Sequence, residues 1–221
     1  MGRATAMPRQ LDYHKIHAIF SRFQAEEAEP KGELDHSNAY TLLVAVALSA
    51  QATDAGVNKA TANLFPLADT PEKMLDLGLE RVTELIKTIG LYRNKAKNVM
   101  KMSQILVDDY GGEVPSSRAA LESLPGVGRK TANVVLNMWF HQPTQAVDTH
   151  IFRFGNRSGV AIGKDVVAVE RAIEDHIPAP FQHHAHHWMI LHGRYTCKAR
   201  KPVCSNCLIE DLCAYEEKSY D

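Results

Sequence analysis

What the sequence lacks narrows its class. It has no excess of positive charge: 25 Lys and Arg stand against 26 Asp and Glu, a formal net charge of −1. Any nucleic-acid contact must come from local patches and not from a global field. No apolar run reaches the about 20 residues that span a bilayer. The longest, Tyr40 to Ala50, reads as a buried core helix. The opening MGRATAMPRQLDYHK has no apolar centre of the signal-peptide kind, which argues against secretion. Met7 offers a second candidate start, in which case residues 1–6 would be an addition. Cysteine is missing from the chain until Cys197, so there is no scattered set from which to build a disulfide framework. Alternating strand patterns, repeats and low-complexity tracts are missing too.

What remains is a chain of 221 residues, 45% hydrophobic and 23% charged, enough for one large soluble domain or two small ones. Helix signals dominate it. Ser37 and Asn38 are cap candidates ahead of Tyr40, and Thr70-Pro71 is a cap with proline at the first helical position. Helices are predicted over Leu79 to Thr88, Lys95 to Tyr110 and Pro115-Ser116 to Leu124. A further helix runs from Arg129 to Phe140, with Ala132, Val135, Leu136 and Trp139 on one buried face. Others run over Asp148 to Arg157, Lys164 to His176, and Phe181 to Leu191, the last ending at Gly193. Pro143 interrupts the periodicity and marks a boundary near His141 to Gln145. The fold class is all-α.

Three constellations carry chemistry. In Leu124-Pro125-Gly126-Val127-Gly128-Arg129-Lys130-Thr131-Ala132, two helices flank a Gly-x-Gly turn, a helix-hairpin-helix over about 116–140. Gly126 and Gly128 let the backbone approach a phosphate, and the next helix aims free N–H groups at the anion. Such a grip holds the DNA backbone without reading sequence. Lys130 falls in that helix's first turn, where the dipole disfavours positive charge, and a neutral amine can attack a sugar C1′. Second, Asp148 lies at a predicted helix N-cap between Val147 and Ile151. Capping alone accounts for it; a carboxylate held near Lys130 is the functional alternative.

Third, Cys197, Cys204, Cys207 and Cys213 surround a central Cys-x-x-Cys. Such a set points to a metal, and the spacing leaves zinc and iron–sulfur open. Lys198, Arg200 and Lys201 lie between the first two cysteines, with Arg194 upstream and no acid until Glu210. A cationic loop tied at its ends is a pre-organised phosphate contact, or a solvated basic loop.

Together these residues resemble the endonuclease III family of DNA glycosylases from about Asn38 to Cys213. LSAQATD (48–54), TIGLY (88–92), LPGVGRKTANVVLN (124–137), VDTHIFR (147–153) and HGRYTC (192–197) carry the resemblance in order. It implies two helical domains with a cleft between them and a C-terminal cluster loop. One domain would be a six-helix bundle over 32–142. The other would combine 1–31 with 143–221 and carry a four-iron, four-sulfur cluster held by the four cysteines. It implies a glycosylase/AP lyase that removes oxidised pyrimidines through a Lys130 Schiff base and nicks the strand by β-elimination, with Asp148 as carboxylate partner. It also makes Gln51 the residue that fills the gap left by a flipped base, and Leu91 an apolar wedge in the stack. Gly126, Gly128, Arg129, Arg194, Lys198, Arg200 and Lys201 become contacts to double-stranded DNA with oxidised pyrimidines or abasic sites. The implied enzyme is a cytoplasmic monomer on the nucleoid.

Two features fall outside the pattern. Arg93 follows the wedge segment where a small polar residue is more usual, and offers a further phosphate contact. His183, His184, His186 and His187 read as histidines on a partly buried helix face, with a metal site as the alternative. The competing functions are a mismatch adenine glycosylase, which would lack the lysine and carry an extra C-terminal domain, and a non-catalytic DNA-binding module with a zinc-stabilised tail.

Overall fold

The computed structural model describes residues 9–220; the candidate start at Met7 and residues 1–6 lie outside them. Eleven α-helices follow in chain order among the described residues: α1 (Tyr13–Glu26), α2 (Ala39–Leu48), α3 (Asp54–Thr61), α4 (Pro71–Leu77), α5 (Leu79–Leu85), α6 (Tyr92–Tyr110), α7 (Arg118–Glu122), α8 (Arg129–Met138), α9 (Thr149–Ser158), α10 (Val166–His176) and α11 (Gln182–Tyr195). A 3₁₀ turn, Ala179–Phe181, precedes α11, and no strand occurs among the described residues. The all-α expectation holds. The chain forms two compact units: Gly32–Gln142, and the residues up to Lys31 taken with those from Pro143 onward.

The Gly32–Gln142 unit is built round α2. Asn38 and Thr41 form a capping box: the Asn38 side chain accepts from Thr41 N–H at 2.8 Å, and Thr41 Oγ1 accepts from Asn38 N–H at 3.0 Å. Leu42, Leu43, Val44 and Leu48 then bury completely, which marks a helix with core on every side. Each such side chain contributes about 1.5–3 kcal/mol of burial. The Tyr40 hydroxyl reaches Ser103 on α6 at 2.5 Å. The resemblance implies six helices here; seven helical segments are found, because Gly78, at φ 79°, separates α4 from α5.

The second unit wraps α1 round α9 and α11. Ile16, Ile19, Phe20 and Phe23 form the i, i+3, i+4, i+7 stripe of an amphipathic helix. Phe20 packs on Phe181 and Trp188 at ring separations of 6.0 and 6.2 Å, and Phe23 packs on Phe154 at 6.2 Å. Trp188 Nε1 donates to the Glu27 carbonyl at 2.8 Å.

Several boundaries differ from expectation. The face predicted for α8 holds at Ala132, Val135 and Leu136, but Trp139 is 38% exposed. The helix stops at Met138, so Trp139 is its C-cap and leaves the periodicity. The helix predicted to reach Thr88 ends at Leu85, and the one predicted from Lys95 begins at Tyr92. Gly193, read as a helix end, lies inside α11. A Cβ there would stand 2.8 Å from the His150 carbonyl oxygen, so the glycine serves the close approach of α9 and α11. Helix α3 was not predicted; it has eight residues and buries only Val57, Ala60 and Thr61, too few for a periodic face.

Candidate functional site

The hairpin turn divides its glycines by purpose. Gly126 has φ 82°, and the side chain of Asn98 stands 3.0 Å from where its Cβ would be. Only glycine suits that position. Gly128 has an ordinary φ of −98° and nothing within 4 Å of its Cβ position. Internal packing gives no reason for a glycine there; a close external ligand does. Gly128 is the N-cap of α8, and no side chain caps that helix, so its first N–H groups suit an anion.

Arg129 and Lys130 are the first two residues of α8, and both are exposed. Asp148 is the N-cap of α9 and half-buried. Its Oδ1 accepts from the His150 and Ile151 N–H groups, each at 2.9 Å. Lys130 belongs to the Gly32–Gln142 unit and Asp148 to the other.

Backbone strain marks the two segments assigned to base flipping. The positive-φ residues other than glycine are Gln51 (56°), Leu91 (59°), His141 (54°) and Lys201 (49°) among those described. A left-handed residue of this kind costs about 1–2 kcal/mol. Such strain gathers where function requires a fixed geometry. The segments are neighbours: a Cβ on Gly90 would lie 3.9 Å from the Gln51 carbonyl oxygen. Leu91 is 59% exposed, an apolar side chain in solvent at the head of α6. Arg93 stacks its guanidinium over Tyr92 at 4.7 Å, two residues after Leu91.

The four cysteines are free thiols lining one small cavity of about 30 Å³, together with Phe154, His192 and other largely apolar neighbours. Burial raises the pKa of Cys197, Cys207 and Cys213, in the case of Cys207 up to about 11; Arg157 opposes the rise at Cys197. Such thiols ionise readily only when a metal takes the thiolate. Four sulfurs round a single zinc would stand about 3.8 Å apart for a 2.3 Å bond. No group of three His, Cys, Asp or Glu side chains among the described residues is drawn together to hold one ion. The donor set, four thiols on one cavity, fits a thiolate-held metal group.

Sequence patterns gave no sign of what braces this loop. Arg153 and Arg157, one turn apart on α9, grip it from below. Arg153 donates to the Cys197 and Gly193 carbonyls, and Arg157 to the Lys198 and Ala199 carbonyls. Arg22 on α1 binds Asp211 with both terminal nitrogens, at 2.5 and 2.8 Å. Backbone carbonyls are the main partners of the α9 pair, so no charge pattern reveals the contacts. Lys198, Arg200 and Lys201 are exposed on the loop, and Arg194 is half-buried in the last turn of α11. Glu210 pairs instead with Lys218 at 2.9 Å and Tyr220 at 2.8 Å.

The histidine group lies on α11, with His186 and His187 buried and His183 and His184 partly so. Burial, with smaller effects from His184 and His183, pushes His187 down to about 4. No helix among the described residues is long and apolar enough to cross a membrane.

Residues 44–179 match the family described as HhH-GPD superfamily base excision DNA repair protein, and that match defines the class. Endonuclease III of Escherichia coli (strain K12) is 58% identical over 200 residues, covering 90% of this chain and 95% of its own. The Haemophilus influenzae endonuclease III is 56% identical with the same coverage. A solved endonuclease III, trapped as a covalent intermediate with DNA, superposes with a TM-score of 0.84 at 44% identity. That alignment covers 92% of this chain and 96% of the other. The chain belongs to the endonuclease III family. It is a DNA glycosylase and AP lyase of base excision repair.

Proposed function

We propose that the enzyme acts on double-stranded DNA carrying oxidised pyrimidines or abasic sites, with Lys130 as nucleophile and Asp148 as its carboxylate partner. The observation that carries this reading is the position of Lys130. It is an exposed amine in the first turn of a helix whose N-terminus no side chain caps, directly after the Gly126-Val127-Gly128 turn. The covalent DNA intermediate trapped in the related endonuclease III supports it.

The Lys130 amine bonds to C1′ as the glycosidic bond breaks, and the base departs with the bonding electrons and a proton. The sugar ring opens to a Schiff base. Loss of a C2′ proton then expels the 3′ phosphate by β-elimination, and water releases the lysine. Asp148 relays the proton that the attacking amine sheds and stabilises the cationic sugar as the base leaves. Gln51 fills the gap left by the extruded base and Leu91 wedges the stack. Gly126, Gly128 and Arg129 clamp one stretch of backbone; Arg194, Lys198, Arg200 and Lys201 contact another. Cys197, Cys204, Cys207 and Cys213 hold a four-iron, four-sulfur cluster, which braces the loop carrying three of those cations. The two compact units serve as its two domains, and it works as a monomer inside the cell, on the nucleoid.

Borohydride trapping tests the core of this. Wild-type protein should form a covalent adduct with oxidised-pyrimidine DNA, and Lys130→Ala should bind the DNA without forming it. Strand cleavage retained by Lys130→Ala would overturn the assignment.

A further inference from the structure

His192 is the residue of the cluster region that the reaction does not use. It sits in the last turn of α11, five residues before Cys197. Its Nε2 lies 3.4 Å from the sulfur of Cys207, within hydrogen-bonding range of a thiol. The ring is clamped, with Phe23 and Phe154 each at a centroid separation of 5.2 Å from it, one on α1 and one on α9. Its own carbonyl accepts from the Thr196 and Cys197 N–H groups, at 3.0 and 2.8 Å, so the backbone that opens the loop fixes the ring's base. We propose that His192 is a positioning residue that donates an Nε2–H hydrogen bond to the Cys207 ligand sulfur and thereby raises the reduction potential of the cluster.

The inference rests on the cluster reading above. A thiolate ligand can only accept, so contact with it selects the tautomer that carries hydrogen on Nε2. A donor to a ligand sulfur draws electron density from it and favours the more reduced cluster. Arg157 makes a longer contact to another of the four cysteines: its Nη1 donates to the Cys197 sulfur at 4.0 Å and to the Lys198 carbonyl at 2.7 Å, and the His192 variants leave it in place.

Three holoproteins are compared by protein-film voltammetry: wild type, His192→Phe and His192→Gln. Phenylalanine keeps a ring between Phe23 and Phe154 but has no donor; glutamine restores an N–H near the Nε2 position. The potential should fall in His192→Phe and return toward wild type in His192→Gln. Equal potentials in the three, at full iron content, would overturn the inference and leave the cluster reading intact. Should His192→Phe fail to load, wild type labelled with ¹⁵N-histidine decides the matter by pulsed EPR of the oxidised cluster. A histidine nitrogen coupling is expected, and its absence overturns the inference. A colourless wild-type protein containing zinc would overturn the cluster reading and this inference with it.

Discussion

Arg153 donates to the carbonyl of Cys197 at 2.9 Å, and the helix that carries it is capped at its head by Asp148. One ten-residue rod, about 15 Å long, thus bears a proposed active-site carboxylate at one end and the fasteners of the cysteine loop along its side. Removing the guanidinium strips charge-assisted bonds from two carbonyls of this partly buried region. Arg153→Ala should lower stability by about 2 kcal/mol. Lysine should recover little, because it lacks the planar fork. Thermal unfolding reads the first effect, and the rate of iron release reads the loosening of the loop. An unchanged melting temperature with unchanged iron release would show that the loop does not depend on Arg153.

Leu91 sets stability against activity. Its left-handed conformation is strained and its side chain is solvent-exposed, so the folded protein gains nothing evident from leucine there. Leu91→Gly should raise unfolding stability by about 1 kcal/mol. The same change removes the proposed wedge and should lower kcat/KM for base excision about tenfold, on the order of 1.4 kcal/mol. Chemical denaturation and single-turnover excision measure the two effects. A variant that is more stable and equally active would mean that Leu91 has no part in opening the stack.

The fate of these residues shows where sequence was informative. Asn38, Thr70 and Asp148 were legible as caps because capping is local: a short polar side chain serves N–H groups two or three residues on. The all-α class followed from periodicity. Trp139 misled because spacing extends a face without saying where the helix stops. Gly193 misled because a glycine that ends a helix and one that admits a neighbour look alike in sequence. Arg153 and Arg157 stayed hidden because their partners are carbonyls more than 35 residues distant, which every sequence has. His192 was visible within HGRYTC, yet its contact with Cys207 depends on how the loop folds back.

His187 gives a pH dependence. Its folded pKa is near 4 and its ordinary value is 6.5, so the unfolded chain binds the extra proton between the two. Stability is therefore complete above about pH 6.5 and declines as pH falls toward 4. The full loss is on the order of 3 kcal/mol. His187→Gln should flatten the unfolding free energy across that window relative to wild type. Identical pH profiles would show that the imidazole is not buried in neutral form.

The cationic loop offers the cleanest electrostatic test, because a net charge of −1 leaves no global field to mask it. Lys198, Arg200 and Lys201 are exposed, and Lys201 adopts a strained left-handed backbone with no glycine to ease it. The nearest acid downstream, Glu210, is occupied by Lys218 and Tyr220 and does not neutralise the loop. Binding that releases counterions makes log K fall with log salt by about 0.9 for each phosphate met. Changing the three cations to alanine together should weaken DNA binding and flatten that slope by about 1 for each cation in contact. Single variants should do so in proportion, without altering which lesion is chosen, since phosphate contacts carry no sequence information. Fluorescence anisotropy on an abasic duplex at several salt concentrations measures the slope. If the triple variant binds more weakly with an unchanged slope, the loop shapes the protein and does not touch the phosphates.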